Sequence, residues 1–237
     1  MKKLKNQKLS GVNVDLLHWS EKEYDKLHKG KGFYEEREYY EVLATLLKGK
    51  KAIDIGCGEG YVEHFAPEIT AVDFSSEALK RAKKNGAKHL VKAPAEALPF
   101  GDNTFEVALS AGTLEHLVNQ QKAIEEMGRV AKVQIIIAHA KLPWLYEMAH
   151  KLINLAYGWK QDQPLERPLS LSEINAMLSR AGLKVIFQGI FNYVDLRWLW
   201  KGLPYGLLKI PSHYFIVSIK SEASGRRFLK EESGWKI

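Results

Sequence analysis

The sequence predicts an α/β domain built on a mostly parallel sheet, and three observations predict it. Short apolar runs alternate with amphipathic stretches through most of the chain, the pattern of strands joined by helical crossovers. The run Ala52-Ile53-Asp54-Ile55 reads as a strand buried on both faces and leads directly into Gly56-Cys57-Gly58-Glu59-Gly60. Nineteen positions after Asp54, the next apolar run, Ile69-Thr70-Ala71-Val72, ends on Asp73. A strand, a glycine-rich turn and a helix make a nucleotide-binding layout, because glycine admits positive φ and lets a ligand approach the main chain closely. An acidic side chain at the end of the second strand can accept both hydroxyl hydrogens of a ribose.

The elements follow in order. Residues 1–10 are polar and basic and are expected to fray. Residues 14–32 carry Leu16, Leu17, Trp19, Tyr24 and Leu27, a helical lead-in. Tyr24, Phe33 and Tyr34 lie among Lys29, Gly30, Lys31 and Gly32, a composition that suits either a mobile lid or a plain surface helix. In residues 35–47, Tyr39, Val42, Leu43, Leu46 and Leu47 fall near helical spacing, and Gly49 ends the pattern, so a helix packed on the sheet is predicted. After the first strand come a short helix broken by Pro67 and the second strand. Ser75 or Ser76 caps a helix that runs to Asn85-Gly86 with its lysines toward solvent. Strands are predicted at 88–93, 105–110 and 133–139, with a helix over 119–130. Ser170-Leu171-Ser172-Glu173 is a capping box that opens a helix stopping at Ala181-Gly182. Residues 184–190 and 213–220 read as the last two strands, and from Ser221 the tail is polar and basic.

A chain of 237 residues fits one such domain with additions. The expected division is a lead-in or lid at 1–48, a cofactor-binding core at 49–140, and substrate-side insertions at 141–168 and 191–212. The net charge of +7 is spread over scattered lysines, which suits a solvated basic surface better than a dedicated polyanion site. Cys57, the single cysteine, excludes an internal disulfide. Without an apolar leader, it points to a reducing, cytoplasmic setting. No apolar run reaches the eighteen or so residues of a membrane span.

The loop Asp54-Ile55-Gly56-Cys57-Gly58-Glu59-Gly60 does not fit the dinucleotide spacing G-x-G-x-x-G. It resembles the D-x-G-x-G-x-G motif of class I S-adenosylmethionine-dependent methyltransferases. The resemblance continues in Leu98-Pro99-Phe100-Gly101-Asp102-Asn103-Thr104-Phe105-Glu106-Val107 and again in Leu114-Glu115-His116. These blocks are similar to the small-molecule branch of that family, which includes ubiquinone and menaquinone methyltransferases. The resemblance implies a Rossmann-like, seven-stranded, mostly parallel sheet with strand seven antiparallel, helices on both faces and a helical, aromatic cap on the substrate side. It implies S-adenosyl-L-methionine as cofactor and S-adenosyl-L-homocysteine as product.

By the same resemblance, Gly56, Gly58 and Gly60 bring backbone amides to the methionine moiety and ribose. Asp54 organises the loop and partners the ammonium, Asp73 binds the ribose hydroxyls, and Phe74 packs on adenine. Ala95 and Glu96 meet the adenine edge. Cys57, Ala111, Gly112, Tyr24 and Tyr34 complete the expected cofactor-binding set. The sequence departs from the family at Pro94, where an Asp usually takes the adenine amino group. It departs again after Arg129-Val130-Ala131-Lys132, where the turn K-P-G-G is missing and the helix must join its strand more tightly.

Methyl transfer is mostly alignment of nucleophile, methyl carbon and sulfur, and a base is needed only if the acceptor carries a proton to lose. His116 is the candidate base, with a structurally bonded histidine as the equal alternative, and His139 is a weaker candidate. Cys57 lies inside the glycine loop and does not suit a covalent nucleophile. No N/D-P-P-Y/F sequence of amide or exocyclic-nitrogen methyltransferases occurs, and no metal ion is expected.

The two long connections carry many large apolar side chains: Trp144, Leu145, Tyr146, Met148, Tyr157 and Trp159 in one, and Phe191, Tyr193, Trp198, Trp200 and Tyr205 in the other. They predict an apolar small-molecule acceptor, quinone-like or lipid-like, rather than a nucleic acid. An extended core, or peripheral membrane contact through residues 198–208, would use the same side chains. The alternatives of a different class are a non-catalytic binder of S-adenosylmethionine, acting as regulator or partner subunit, and an RNA or protein methyltransferase.

Overall fold

The computed structural model describes residues 9–29, 37–141, 164–195 and 209–221. Helices α1 (Val14–Lys29) and α2 (Arg37–Leu47) lead into β1 (Ala52–Ile55). There follow α3 (Tyr61–Phe65), β2 (Thr70–Asp73), α4 (Ser76–Lys84), β3 (His89–Lys92), β4 (Phe105–Ala111) and a 3-10 turn at Leu114–His116. Helix α5 (Gln120–Val130), β5 (Ala131–His139), α6 (Leu171–Arg180), β6 (Leu183–Asp195) and β7 (Lys209–Lys220) complete the described fold. The strands form one seven-stranded sheet in the order β3-β2-β1-β4-β5-β7-β6. Strands β1 to β5 pair in parallel, and β7 runs antiparallel between β5 and β6.

Side-chain alternation along the central strands supplies two cores. Ile53, Ile55, Ala108 and Ile136 pack under Ile124 and Met127 of α5 and Ile174 and Leu178 of α6. Val107, Leu109, Ile135 and Ile137 point the other way, under Leu43 and Leu47 of α2 and Val62 of α3. Both faces are therefore covered, as a parallel sheet requires. Each fully buried aliphatic side chain here contributes about 1.5–3 kcal/mol.

The predicted signals act where expected. Ser75 is the cap of α4, its hydroxyl accepting from the Ala78 amide at 3.1 Å. The box at Ser170 and Glu173 opens α6 with both of its reciprocal bonds formed. Asn119 caps α5. Val130 ends α5 and Ala131 begins β5, so the missing turn is replaced by a direct helix-to-strand junction.

The last hairpin is longer than the sequence reading gave it. Pairing continues past Ile190↔Tyr214 to Asp195↔Lys209, so residues 191–195 and 209–212 are strand rather than inserted loop. The run Ile190-Phe191-Asn192-Tyr193-Val194 is rich in β-formers, and register shifts around Asn192 disguise its alternation. The aromatic-rich residues 142–163 and 196–208, and Phe33 and Tyr34 of the expected lid, lie outside the described residues.

Candidate active site

Strand order reverses at β1, which has β2 on one side and β4 on the other, and ligands bind outside the carboxyl ends of strands at such a point. A cleft of about 1070 Å³, counted with its open mouth, lies there. Tyr24, Asp54, Gly56, Cys57, Gly58, Asp73, Phe74, Ala95, Glu96, Ala111, Gly112 and His116 all line it. Of the expected set, Gly60 does not line it and Tyr34 is outside the described residues.

The glycine loop works differently from the expectation. The amides of Gly56 and Cys57 donate to the Val72 carbonyl at 2.8 and 3.0 Å, and the Gly60 amide donates to the Cys57 carbonyl at 3.0 Å. The Gly58 amide donates to Asp73 Oδ2 at 3.0 Å. These amides are turned inward, so the loop offers a ligand close backbone contact rather than a row of N–H donors. Gly56, at φ 78°, has no room for a side chain, because a Cβ would stand 2.2 Å from Thr113 Cγ2. Gly60, also at φ 78°, presses α3 against α4, its Cβ position lying 2.7 Å from the Ala82 Cα. Gly58 faces open space.

Asp73 is the latch of this arrangement. Besides the Gly58 amide it accepts the Ser75 amide on Oδ1 at 2.8 Å, which ties the loop after β1 to the start of α4. Burial raises its carboxyl above the ordinary value in spite of those bonds. Beneath the loop, Asp54 lies beside Glu63, a residue the sequence reading did not single out. Burial, then the neighbouring Asp73, pushes Asp54 up to about 7. Burial and Asp54 push Glu63 well up. Asp54 Oδ1 and both Glu63 oxygens are buried without a hydrogen-bond partner among the described residues. Burial also pushes the Cys57 thiol well up, which agrees with its not being a nucleophile.

Helix α1 walls one side of the cleft with Leu17, Ser20, Tyr24 and His28, residues at helical spacing. His28 Nδ1 meets Glu59 Oε1 at 3.2 Å, and Arg81 Nη1 donates to the same oxygen at 3.0 Å. Asp25 accepts the Ser75 hydroxyl at 2.6 Å. The Tyr24 ring packs 5.4 Å from Phe74, and its hydroxyl donates to the Leu165 carbonyl at 3.3 Å. Glu96 is 1% exposed and accepts the Asn119 amide on Oε1 at 3.1 Å, so its carboxylate holds the cap of α5.

His116 closes the β4 end of the cleft. Its Nδ1 lies 2.5 Å from the Leu165 carbonyl, so Nδ1 carries the proton and Nε2 the lone pair in the neutral ring. The histidine is therefore both structurally bonded and presented to the cleft. His139 ends β5, with its ring 6.3 Å from that of His116. His139 Nδ1 donates to Glu115 Oε1 at 2.9 Å.

A family model described as a methyltransferase domain matches residues 53–137. A malonyl-[acyl-carrier protein] O-methyltransferase of Buchnera aphidicola is 35% identical over 193 residues, covering 77% of this chain and 74% of that protein. The chain belongs to the S-adenosylmethionine-dependent methyltransferases. A demethylmenaquinone methyltransferase of Bacillus licheniformis is 26% identical over 213 residues, 76% of this chain and 90% of that one. Among solved structures, the magnesium protoporphyrin IX methyltransferase of Synechocystis with bound SAH aligns with a TM-score of 0.58. That alignment covers 93% of this chain and 100% of the other at 12% identity, which bears on the fold alone.

The chemistry of the cleft fits the methyl donor of an S-adenosylmethionine-dependent methyltransferase. That donor is cationic at its sulfonium and its ammonium and carries no phosphate. Asp54, Glu59, Asp73 and Glu96 line the cleft, and among the described residues no Lys or Arg does, although the chain as a whole carries a charge of +7. A pyrophosphate would meet inward-turned amides and the carboxylates of Asp54, Glu59, Asp73 and Glu96 here.

Proposed function

We propose that the methyltransferase binds its donor with the methionine end over Gly56 and Asp54, the ribose on Asp73 and the adenine between Phe74 and the backbone of Ala95. The acidic lining of the cleft carries this reading. Asp54 takes the ammonium, and Gly58 lets the ribose approach the main chain. The methyl group points toward the ends of β4 and β5, where His116 presents Nε2 to the acceptor and takes its proton if it has one. The acceptor is a bulky apolar small molecule, quinone-like or lipid-like. The aromatic composition of residues 141–168 and 196–208 supports this, as does the acceptor named for the demethylmenaquinone methyltransferase of Bacillus licheniformis. A single cysteine, Cys57, and so no internal disulfide, supports a cytoplasmic setting. The protein has no helix, among the described residues, long and apolar enough to cross a membrane.

The test is transfer of labelled methyl from S-adenosylmethionine into fractionated cell extract. Label should enter the apolar small-molecule fraction and be lost when Trp144 and Trp198 are replaced by Ala in folded protein. Label in RNA or protein instead would overturn the acceptor, and no transfer by a protein that binds the cofactor would favour a non-catalytic binder.

The Asp54 assignment carries a pH dependence. With a carboxyl raised from 3.8 to about 7 in the folded protein, the protonated form is the one folding favours. Relative to an Asp54→Asn variant, the cofactor-free protein should therefore lose stability as pH rises from about 4 to about 7. An ammonium ligand prefers the ionised form, so S-adenosylhomocysteine should bind more tightly as pH rises from 6 to 8, by up to about tenfold per unit below the raised pKa. Calorimetry at three pH values checks this. An affinity that is flat in the wild type, or that rises equally in Asp54→Asn, would remove Asp54 from the ammonium site.

A further inference from the structure

On the acceptor side of the cleft, the ends of β4, β5 and β7 gather Glu115, His116, His139 and His213. Glu115 is completely buried; its Oε1 accepts the His139 backbone amide at 3.2 Å, and among the described residues imidazoles stand beside it and no Lys or Arg pairs with it. Its Oε1 lies 2.9 Å from His139 Nδ1 and 3.9 Å from His116 Nε2. One ligand atom from each of Glu115, His116 and His139 lies within 4.8 Å of the others. Glu115 Oε2 is buried with no hydrogen-bond partner among the described residues. A carboxylate so placed is costly unless positive charge stands beside it.

The His116 ring is already held as a ligating imidazole usually is, with one nitrogen donating to a backbone carbonyl, Leu165, and the other bare. The His213 ring packs against that of His139, with centroids 4.3 Å apart.

We propose that Glu115, His116 Nε2 and His139 form a binding site for a divalent first-row transition-metal ion. Two imidazole nitrogens and one carboxylate suit zinc or its neighbours and leave coordination positions open. Binding displaces the proton that His139 Nδ1 now shares with Glu115, and the ion offsets the carboxylate charge. Because His116 also lines the cleft, the open positions face the space assigned to the methyl acceptor. A Lewis acid there would polarise an acceptor oxygen. This last role rests on the proposed function, whereas the site itself does not. In the metal-loaded protein His116 Nε2 is committed to the ion and is not a base.

The experiment strips the purified full-length chain with a chelator and titrates it with Zn²⁺, and separately with Co²⁺, whose visible absorption reports nitrogen and oxygen ligands. One equivalent should bind, with cobalt absorption of a four- or five-coordinate site, and His139→Gln and Glu115→Gln should each weaken binding by at least about tenfold. His139 is partly exposed, so its variant tests the site even if the buried Glu115 variant fails to fold. Equal metal uptake by wild type and folded His139→Gln would overturn the site, as would wild-type binding below one equivalent. Binding of S-adenosylhomocysteine to the stripped wild type is measured in parallel. Its failure removes the proposed cofactor cleft and leaves the metal result standing, and the converse holds equally.

Discussion

Replacing Asp73 by Ala should weaken S-adenosylhomocysteine binding by about 1.5–3 kcal/mol, the range for a hydrogen bond to a charged group. The loss has two sources. The ribose loses its proposed acceptor, and the Gly58 and Ser75 amides lose the carboxylate that holds the loop against α4. Asp73→Asn should rescue little, because Asn offers one acceptor oxygen where two N–H donors arrive, and its own amide nitrogen would face the second. Calorimetry on variants whose circular dichroism matches the wild type reads the effect. Wild-type affinity in a folded Asp73→Ala protein would take the ribose away from this residue.

A large loss of stability is expected from Gly60→Ala. An L-residue at φ 78° costs about 1–2 kcal/mol, and the new Cβ, 2.7 Å from the Ala82 Cα, would force backbone apart for about 1–3 kcal/mol more. Gly49 provides the control: its φ is 77° with nothing near its Cβ position, so Gly49→Ala should show the conformational cost alone. Denaturant unfolding of the two variants separates the terms. Equal losses would mean that α3 and α4 can part freely and that Gly60 is not packed as described. Gly58→Ala, at φ 53° in open space, should cost stability about as Gly49→Ala does, while also hindering the cofactor.

The sequence by itself determined the elements whose causes are local. The caps at Ser75 and Ser170 need only a few successive residues to act, and they start helices where they were expected. The glycines at 56, 58 and 60 were legible because positive φ is a property of the residue itself. Asp73 was legible because a strand of known length delivers its last side chain to the sheet edge. The missing turn before β5 was legible as an absence, and the chain passes from Val130 to Ala131 without one.

Tertiary structure alone decided which way those groups face and what they meet. The loop amides turn inward because β2 runs alongside and presents the Val72 carbonyl and the Asp73 carboxylate, contacts fixed by the register of two strands. Glu63, on α3, is brought beside Asp54 of β1 by the way the helix folds back on the strand. Glu96 is taken up by the cap of α5, and His28 meets Glu59 through the docking of α1. Glu115, in the turn after β4, meets His139 at the end of β5 because the two strands lie side by side, which a pattern read along one strand does not contain. Periodicity along the chain reports which face a side chain occupies. Which charges share a low-dielectric space depends on elements brought together from distant positions, and that proximity sets the site's protonation and its chemistry.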